Sequence, residues 1–165
     1  MSTPPPAHHG ACPCGHARFT LSAVPITRFY CHCLICQRLY GAPYADVSVV
    51  PARHVHGPDR AAVAIGRHRP PPALARALCR DCGKPVLGTL GFAGLPLLAF
   101  VPSANLADPA LLPPPAAHLF WNRRTSEHAD ALPRYRGYWR SELGVVATVL
   151  RAATRRADAP GTPGQ

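Results

Sequence analysis

The chain has 165 residues, a formal charge of +10 and seven cysteines. That is one domain's length with enough apolar material for a core. Its cations are a single lysine, Lys84, and scattered arginines paired only at Arg123-Arg124 and Arg155-Arg156, a pattern that argues against a nucleic-acid reader and suits a small anionic substrate equally well.

Met1 to Gly10 is rich in Pro and His and lacks the apolar run of a secretory signal. The longest apolar stretch, Val86 to Val101, is broken by three glycines and a proline and is short for a bilayer. A soluble, cytoplasmic protein is expected, without a membrane partner. There thiols stay reduced, so cysteines clustered at short spacing read as metal ligands rather than as a disulfide framework.

In chain order, residues 1–10 form a tail without periodicity, and Cys12-Pro13-Cys14-Gly15 opens the domain proper, which is expected to span 11–138. Ala17 to Val24 alternates in polarity over its middle as a half-buried strand does, with Pro25 closing it. Tyr30-Cys31-His32-Cys33-Leu34-Ile35-Cys36 packs three thiols into six positions. Cys33 to Tyr40 predicts a short helical turn ended by Gly41. Asp46 to Val50 reads as a strand, and Arg67 to Pro72 as an exposed loop. Cys79-Arg80-Asp81-Cys82-Gly83 follows, then strands over Lys84 to Thr89 and Leu95 to Val101 and a proline-rich loop over Asp108 to Pro115. Leu143, Val146, Ala147 and Leu150 recur at helical spacing and predict a helix from Trp139 to Arg155, which Gly144 weakens by about 1 kcal/mol against Ala. Residues 157–165 are a second tail. The whole predicts a mainly β fold of short antiparallel strands with a peripheral helix over 139–156.

Four thiols plus three is the arithmetic that points to chemistry. A structural zinc takes four ligands in a closed tetrahedron, whereas a chemically active zinc keeps one position free. Two pairs near positions 12 and 80 would close one site across almost half the chain and leave Cys31, Cys33 and Cys36 one ligand short. Spacing alone does not assign pairs to ions, and a distant residue completing an inert site is the competing outcome. In an extended segment His32 points away from Cys31 and Cys33, which makes it a neighbour of such a site, facing substrate or structural, rather than a ligand of the same ion. An open thiolate-held zinc suits thiol chemistry. Arg28 and Arg38 flank the triplet and are candidates for holding the carboxylates of a glutathione-like anion.

Cys12-x-Cys14-Gly15, Cys31-His32-Cys33-x-x-Cys36 followed by Arg38 and Gly41-Ala42-Pro43, and Cys79-x-x-Cys82-Gly83 resemble the glutathione-dependent formaldehyde-activating enzyme family, which includes centromere protein V. The likeness continues in Asn105-Leu106-Ala107-Asp108-Pro109, Pro115-x-x-His118-Leu119-Phe120 and Leu132-Pro133-Arg134-Tyr135, over about residues 10 to 138. The resemblance implies a β-tent zinc-binding fold and two zinc ions per chain. One would be structural, on Cys12, Cys14, Cys79 and Cys82, and one catalytic, on Cys31, Cys33 and Cys36, with His32 beside it. It also implies carbon–sulfur lyase chemistry between glutathione and formaldehyde, with S-hydroxymethylglutathione as the adduct. The family usually carries a tryptophan in the stretch matching Arg123 to His128, where this chain has none. The rival expectation is a non-catalytic, zinc-stabilised binding module for a macromolecular partner.

Overall fold

A computed structural model of the chain describes residues 7–69 and 74–158. Among them run β1 (His8–Ala11), β2 (Arg18–Leu21), β3 (Thr27–Cys31), α1 (Leu34–Tyr40), β4 (Ala45–Pro51), β5 (Val55–His56), β6 (Val63–Gly66), β7 (Ala75–Cys79), β8 (Pro85–Phe92), β9 (Leu95–Pro102), β10 (His118–Leu119) and α2 (Tyr138–Asp158). The strands form two sheets, ordered β1-β2-β5 and β10-β3-β4-β9-β8-β7-β6. Neighbours are antiparallel except β10, which lies parallel to β3. The expected mainly β architecture with a C-terminal helix is what the chain adopts. No helix among the described residues is long and apolar enough to cross a membrane.

Period-two alternation sets the two faces of the larger sheet. In β3, Thr27, Phe29 and Cys31 are buried while Arg28 and Tyr30 are half-buried on the other face. Cys31 therefore enters one core with Phe29, Val47, Phe100 and Leu119, while a second core gathers Cys12, Phe19, Leu21, Cys79, Val86 and Val101. Each cysteine group thus has its own core.

Two expectations need correcting. The N-terminal tail, expected through residue 10, already pairs from His8: β1 lies antiparallel to β2 with Gly10 opposite Phe19. No apolar period is needed there, because the Phe19 ring packs onto bare backbone, and a Cβ at Gly10 would lie 2.3 Å from that ring. The remaining tail residues, 1–6 and 159–165, and positions 70–72 of the expected loop lie outside the described residues.

The second correction concerns α2, which runs to Asp158 and presents the opposite face to the one its apolar period suggests. Leu143, Val146 and Leu150 are exposed, at 65%, 53% and 60%. The buried side is Ser141, Gly144 and Thr148, flanked by half-buried Val145 and Val149. Close approach selects these small residues: a Cβ at Gly144 would sit 2.8 Å from the Tyr135 ring and 3.1 Å from Leu119. Ser141 makes that contact polar, its Oγ accepting from the Phe120 amide at 2.8 Å. The amide is exposed to this bond because Phe120 holds a left-handed backbone, φ 54°.

Candidate functional site

All seven cysteines are free thiols, and they fall into two groups in which the sulfurs lie within 4.8 Å of one another. The group of four joins two matching turns. Cys12-Pro13-Cys14 follows β1 and Cys79 to Cys82 links β7 to β8, each turn closed by a glycine amide, Gly15 to the Cys12 carbonyl at 2.8 Å and Gly83 to the Cys79 carbonyl at 2.9 Å. Both glycines have positive φ, 78° and 68°, which only glycine adopts without strain. Cys14 Sγ lies 3.3 Å from Cys12 Sγ and 3.7 Å from Cys79 Sγ. Ligands 2.3 Å from a tetrahedral zinc stand about 3.8 Å apart, so the group fits such an ion after a small expansion. The backbone amides of Cys82 and Asp81 hydrogen-bond the Cys79 sulfur and bring that thiol down to about 6 against the opposing effect of burial. That favours the thiolate a metal needs.

The second group, Cys31, Cys33 and Cys36, is positioned by the β3–α1 junction. Cys31 ends the strand, and Cys33 caps the helix, its Sγ accepting from the Cys36 amide at 3.4 Å. Gly41, in left-handed conformation, ends the helix as the sequence predicts. Hydrogen bonds from Cys31 and Cys36 pull the Cys33 thiol far down, with help from the Cys36 amide and Arg76, while the bond to Cys33 pushes Cys31 well up. Ionisation in the group is thus favoured at Cys33 over Cys31. These thiols could hold a metal with one coordination position left over.

All three border a cavity of about 120 Å³, room for the reacting end of a small molecule, with Phe29, Val47, Leu87, Phe100 and Leu119 among its apolar walls. Two guanidinium groups line it as well, Arg69 and Arg76. Arg76 Nη1 is buried and has no hydrogen-bond partner. Arg69 is tied to Glu142 of α2 at 2.9 Å and lies over the Tyr138 ring. Burial pushes the Tyr40 hydroxyl well above its ordinary value, so this lining residue stays protonated.

The structure places the two arginines expected for this role elsewhere. Arg28 is engaged by the Asp46 carboxylate through both Nε and Nη2 and stacks over Tyr30. Arg38 is exposed, and neither residue borders the cavity. Sequence reasoning missed Arg69, Arg76, Tyr40 and Glu142. One signal was available: Arg76 is a lone charge inside the run Ala75-Arg76-Ala77-Leu78-Cys79, and a charge in a buried strand asks for a partner. Glu142 was hidden because the helix was oriented by its apolar residues.

His32 also stays off the cavity. It continues the Tyr30 face of β3, and its ring, fully buried, joins His118, Trp121, His128 and Tyr44. The Asp130 carboxylate accepts from His118 Nε2–H at 3.0 Å, which leaves His118 Nδ1 to accept from His32 Nε2–H at 2.9 Å. Burial, and then His118, lowers the His32 imidazole to about 4, so it is neutral.

A model of the glutathione-dependent formaldehyde-activating enzyme family matches residues 7–123, which holds both cysteine groups and the strands that carry them. The chain belongs to this family. Among curated proteins, none matches it. A crystal structure of a Rhodobacter sphaeroides protein, solved as a structural-genomics target, is similar at 18% identity and a TM-score of 0.48, over 60% of this chain and 87% of that one. Family membership suggests glutathione-dependent activation of formaldehyde, and the cysteine groups are compatible with zinc.

Proposed function

We propose that the cavity beside Cys31, Cys33 and Cys36 is the active site of a carbon–sulfur lyase. It would add a small thiol, glutathione or a relative, to formaldehyde or a related aldehyde, and cleave the adduct in reverse. The observation that carries this reading is the juxtaposition of three free thiols with the Arg76 guanidinium, whose buried Nη1 has no hydrogen-bond partner, around the same apolar cavity. In this reading Cys12, Cys14, Cys79 and Cys82 hold a structural zinc. A second zinc on the three thiolates would supply an open, electrophilic position for a substrate sulfur.

The chain's own residues do the rest. Arg76 would offset the negative charge of three thiolates on such an ion, and it draws the anionic thiol substrate inward. Arg69 stands as a second cation on the same wall, braced by Glu142. The apolar walls exclude water, which keeps the aldehyde unhydrated and strengthens each charge interaction. As the bond forms between sulfur and the carbonyl carbon, the carbonyl oxygen gains the negative charge and takes up a proton. The proton is the one the substrate thiol gives up. Tyr40, which burial keeps protonated, is a lining residue able to hydrogen-bond that oxygen, returning to its starting state as the thiol's proton replaces any it passes on. The reaction needs reduced thiols, which fits a cytoplasmic location.

The test is exchange NMR on zinc-loaded protein with glutathione and formaldehyde, reading adduct formation above the uncatalysed rate. Cys33→Ala should fold, keep the zinc of the four-cysteine group and lose the acceleration. A folded Cys33→Ala protein with undiminished acceleration would refute the reading.

A further inference from the structure

His32, His118 and His128 bring one nitrogen each to within 4.8 Å of one another. Their rings form a near-equilateral triangle, with centroids 5.2, 5.3 and 4.7 Å apart. His32 and His118 are fully buried, yet His32 Nδ1 and His128 Nε2 have no hydrogen-bond partner. Buried nitrogens are ordinarily satisfied, so the orphaned His128 nitrogen, on a ring that closes this triangle, calls for a ligand. His118 has the feature of a metal-bound imidazole: its far nitrogen donates to a carboxylate, Asp130, which fixes the tautomer and aims Nδ1 inward.

We propose that these three histidines form a further metal site, separate from both cysteine groups, for a divalent ion that favours imidazole: zinc, cobalt, nickel or copper. The ion takes the place of the His32–His118 hydrogen bond, opening that pair from 2.9 Å toward the roughly 3.3 Å between nitrogens on a tetrahedral ion. The proton on His32 Nε2 leaves and the free Nδ1 takes one up, so the ring stays neutral and no net proton is released. Asp130 supplies compensating charge, and of the two arginines stacked on the adjoining Trp121 ring, Arg124 is paired with Glu127. Three imidazoles leave one position open, so the ion can still bind water or a small anion. His128 and Asp130 lie beyond residues 7–123 matched by the family model.

The experiment starts from full-length protein whose cysteine groups have been loaded with zinc, and titrates cobalt(II). One additional equivalent should bind with d–d absorption and no thiolate-to-cobalt charge-transfer band. His128→Ala should abolish this equivalent and leave the zinc content unchanged. Asp130→Asn, at a more exposed position, should weaken it about 10- to 100-fold. Replacing His8 and His9 by alanine should leave it intact. The proposal is overturned if no additional equivalent binds, if the bound cobalt shows thiolate charge transfer, or if binding survives His128→Ala. Because the readout is cobalt coordination and not turnover, its failure is distinct from failure of the lyase reading.

Discussion

Gly144→Ala separates two opposite arguments about the C-terminal helix. Helix propensity alone makes the substitution stabilising by about 1 kcal/mol. Packing reverses the sign. The new methyl carbon would lie 2.8 and 2.9 Å from Tyr135 ring carbons and 3.1 Å from Leu119, against the 3.5–4.0 Å at which carbons attract. The ring atoms concerned are those nearest its root, and Tyr135 is pinned through its backbone, donating to the His118 carbonyl and accepting from the Trp121 amide. Relief therefore has to come from α2 moving outward, which loosens Val145 and Val149 and lengthens the Ser141 bond to Phe120. Overpacking of this kind costs about 1–3 kcal/mol, and the rigid surroundings put it near the upper end. The net is a destabilisation of about 2 kcal/mol, a fall of about 4–8 °C in Tm for a chain of this size. Thermal melts of zinc-loaded protein followed by circular dichroism give the answer. An unchanged or raised Tm would mean that α2 does not sit against Tyr135 as described.

Arg76→Ala should lower turnover with a thiol and an aldehyde by about 10- to 100-fold, the worth of a charge-assisted bond, while Arg28→Ala should cost stability through Asp46 and leave KM unchanged; steady-state kinetics on the two variants decide it. Zinc chelation, or Cys79→Ser, should abolish cooperative unfolding, because binding at a four-cysteine site is worth on the order of 10 kcal/mol, as much as a whole domain. Circular dichroism with and without chelator measures this, and a sharp melt in the chelated protein would contradict it.

The grouping of the cysteines was legible in the sequence because it depends on covalent spacing. Cys12 with Cys14 and Cys79 with Cys82 need only a tight turn to point both sulfurs one way, and a glycine at each turn marks it. The break at Gly41 was legible for the same local reason. What escaped depends on contacts distant in sequence. Leu143, Val146 and Leu150 make the stronger apolar stripe, yet the shape of the Tyr135–Leu119 surface admits only the glycine side of the helix. Arg28 sits next to the triplet in sequence, but alternation along β3 turns it toward Asp46, whereas Arg76, forty positions after Cys36, reaches the cavity through the pairing of β7 with β8. Nearness along the chain was a poor guide to which arginines border the cavity, and strand parity turns His32 away from it.

That parity also joins the two clusters mechanically. Cys31 and Cys33 face the cavity while His32, between them, faces His118, so displacement of one group moves the other. Gln37 holds the crossing: its side-chain amide donates to the His32 carbonyl at 2.6 Å and to the Arg123 carbonyl at 2.8 Å, bracing α1 against the turn that carries Trp121. Gln37→Leu keeps the volume and removes both bonds. If the brace sets the spacing of the thiols, the variant should fold with a loss of about 1–2 kcal/mol, and metal affinity at the triplet should fall about 10- to 100-fold, as when an outer-shell partner is lost. Affinity at the four-cysteine group, which Gln37 does not touch, should be unchanged. Chelator competition resolves the two groups by strength, and equal retention at both would show that backbone geometry alone, without Gln37, spaces the three sulfurs.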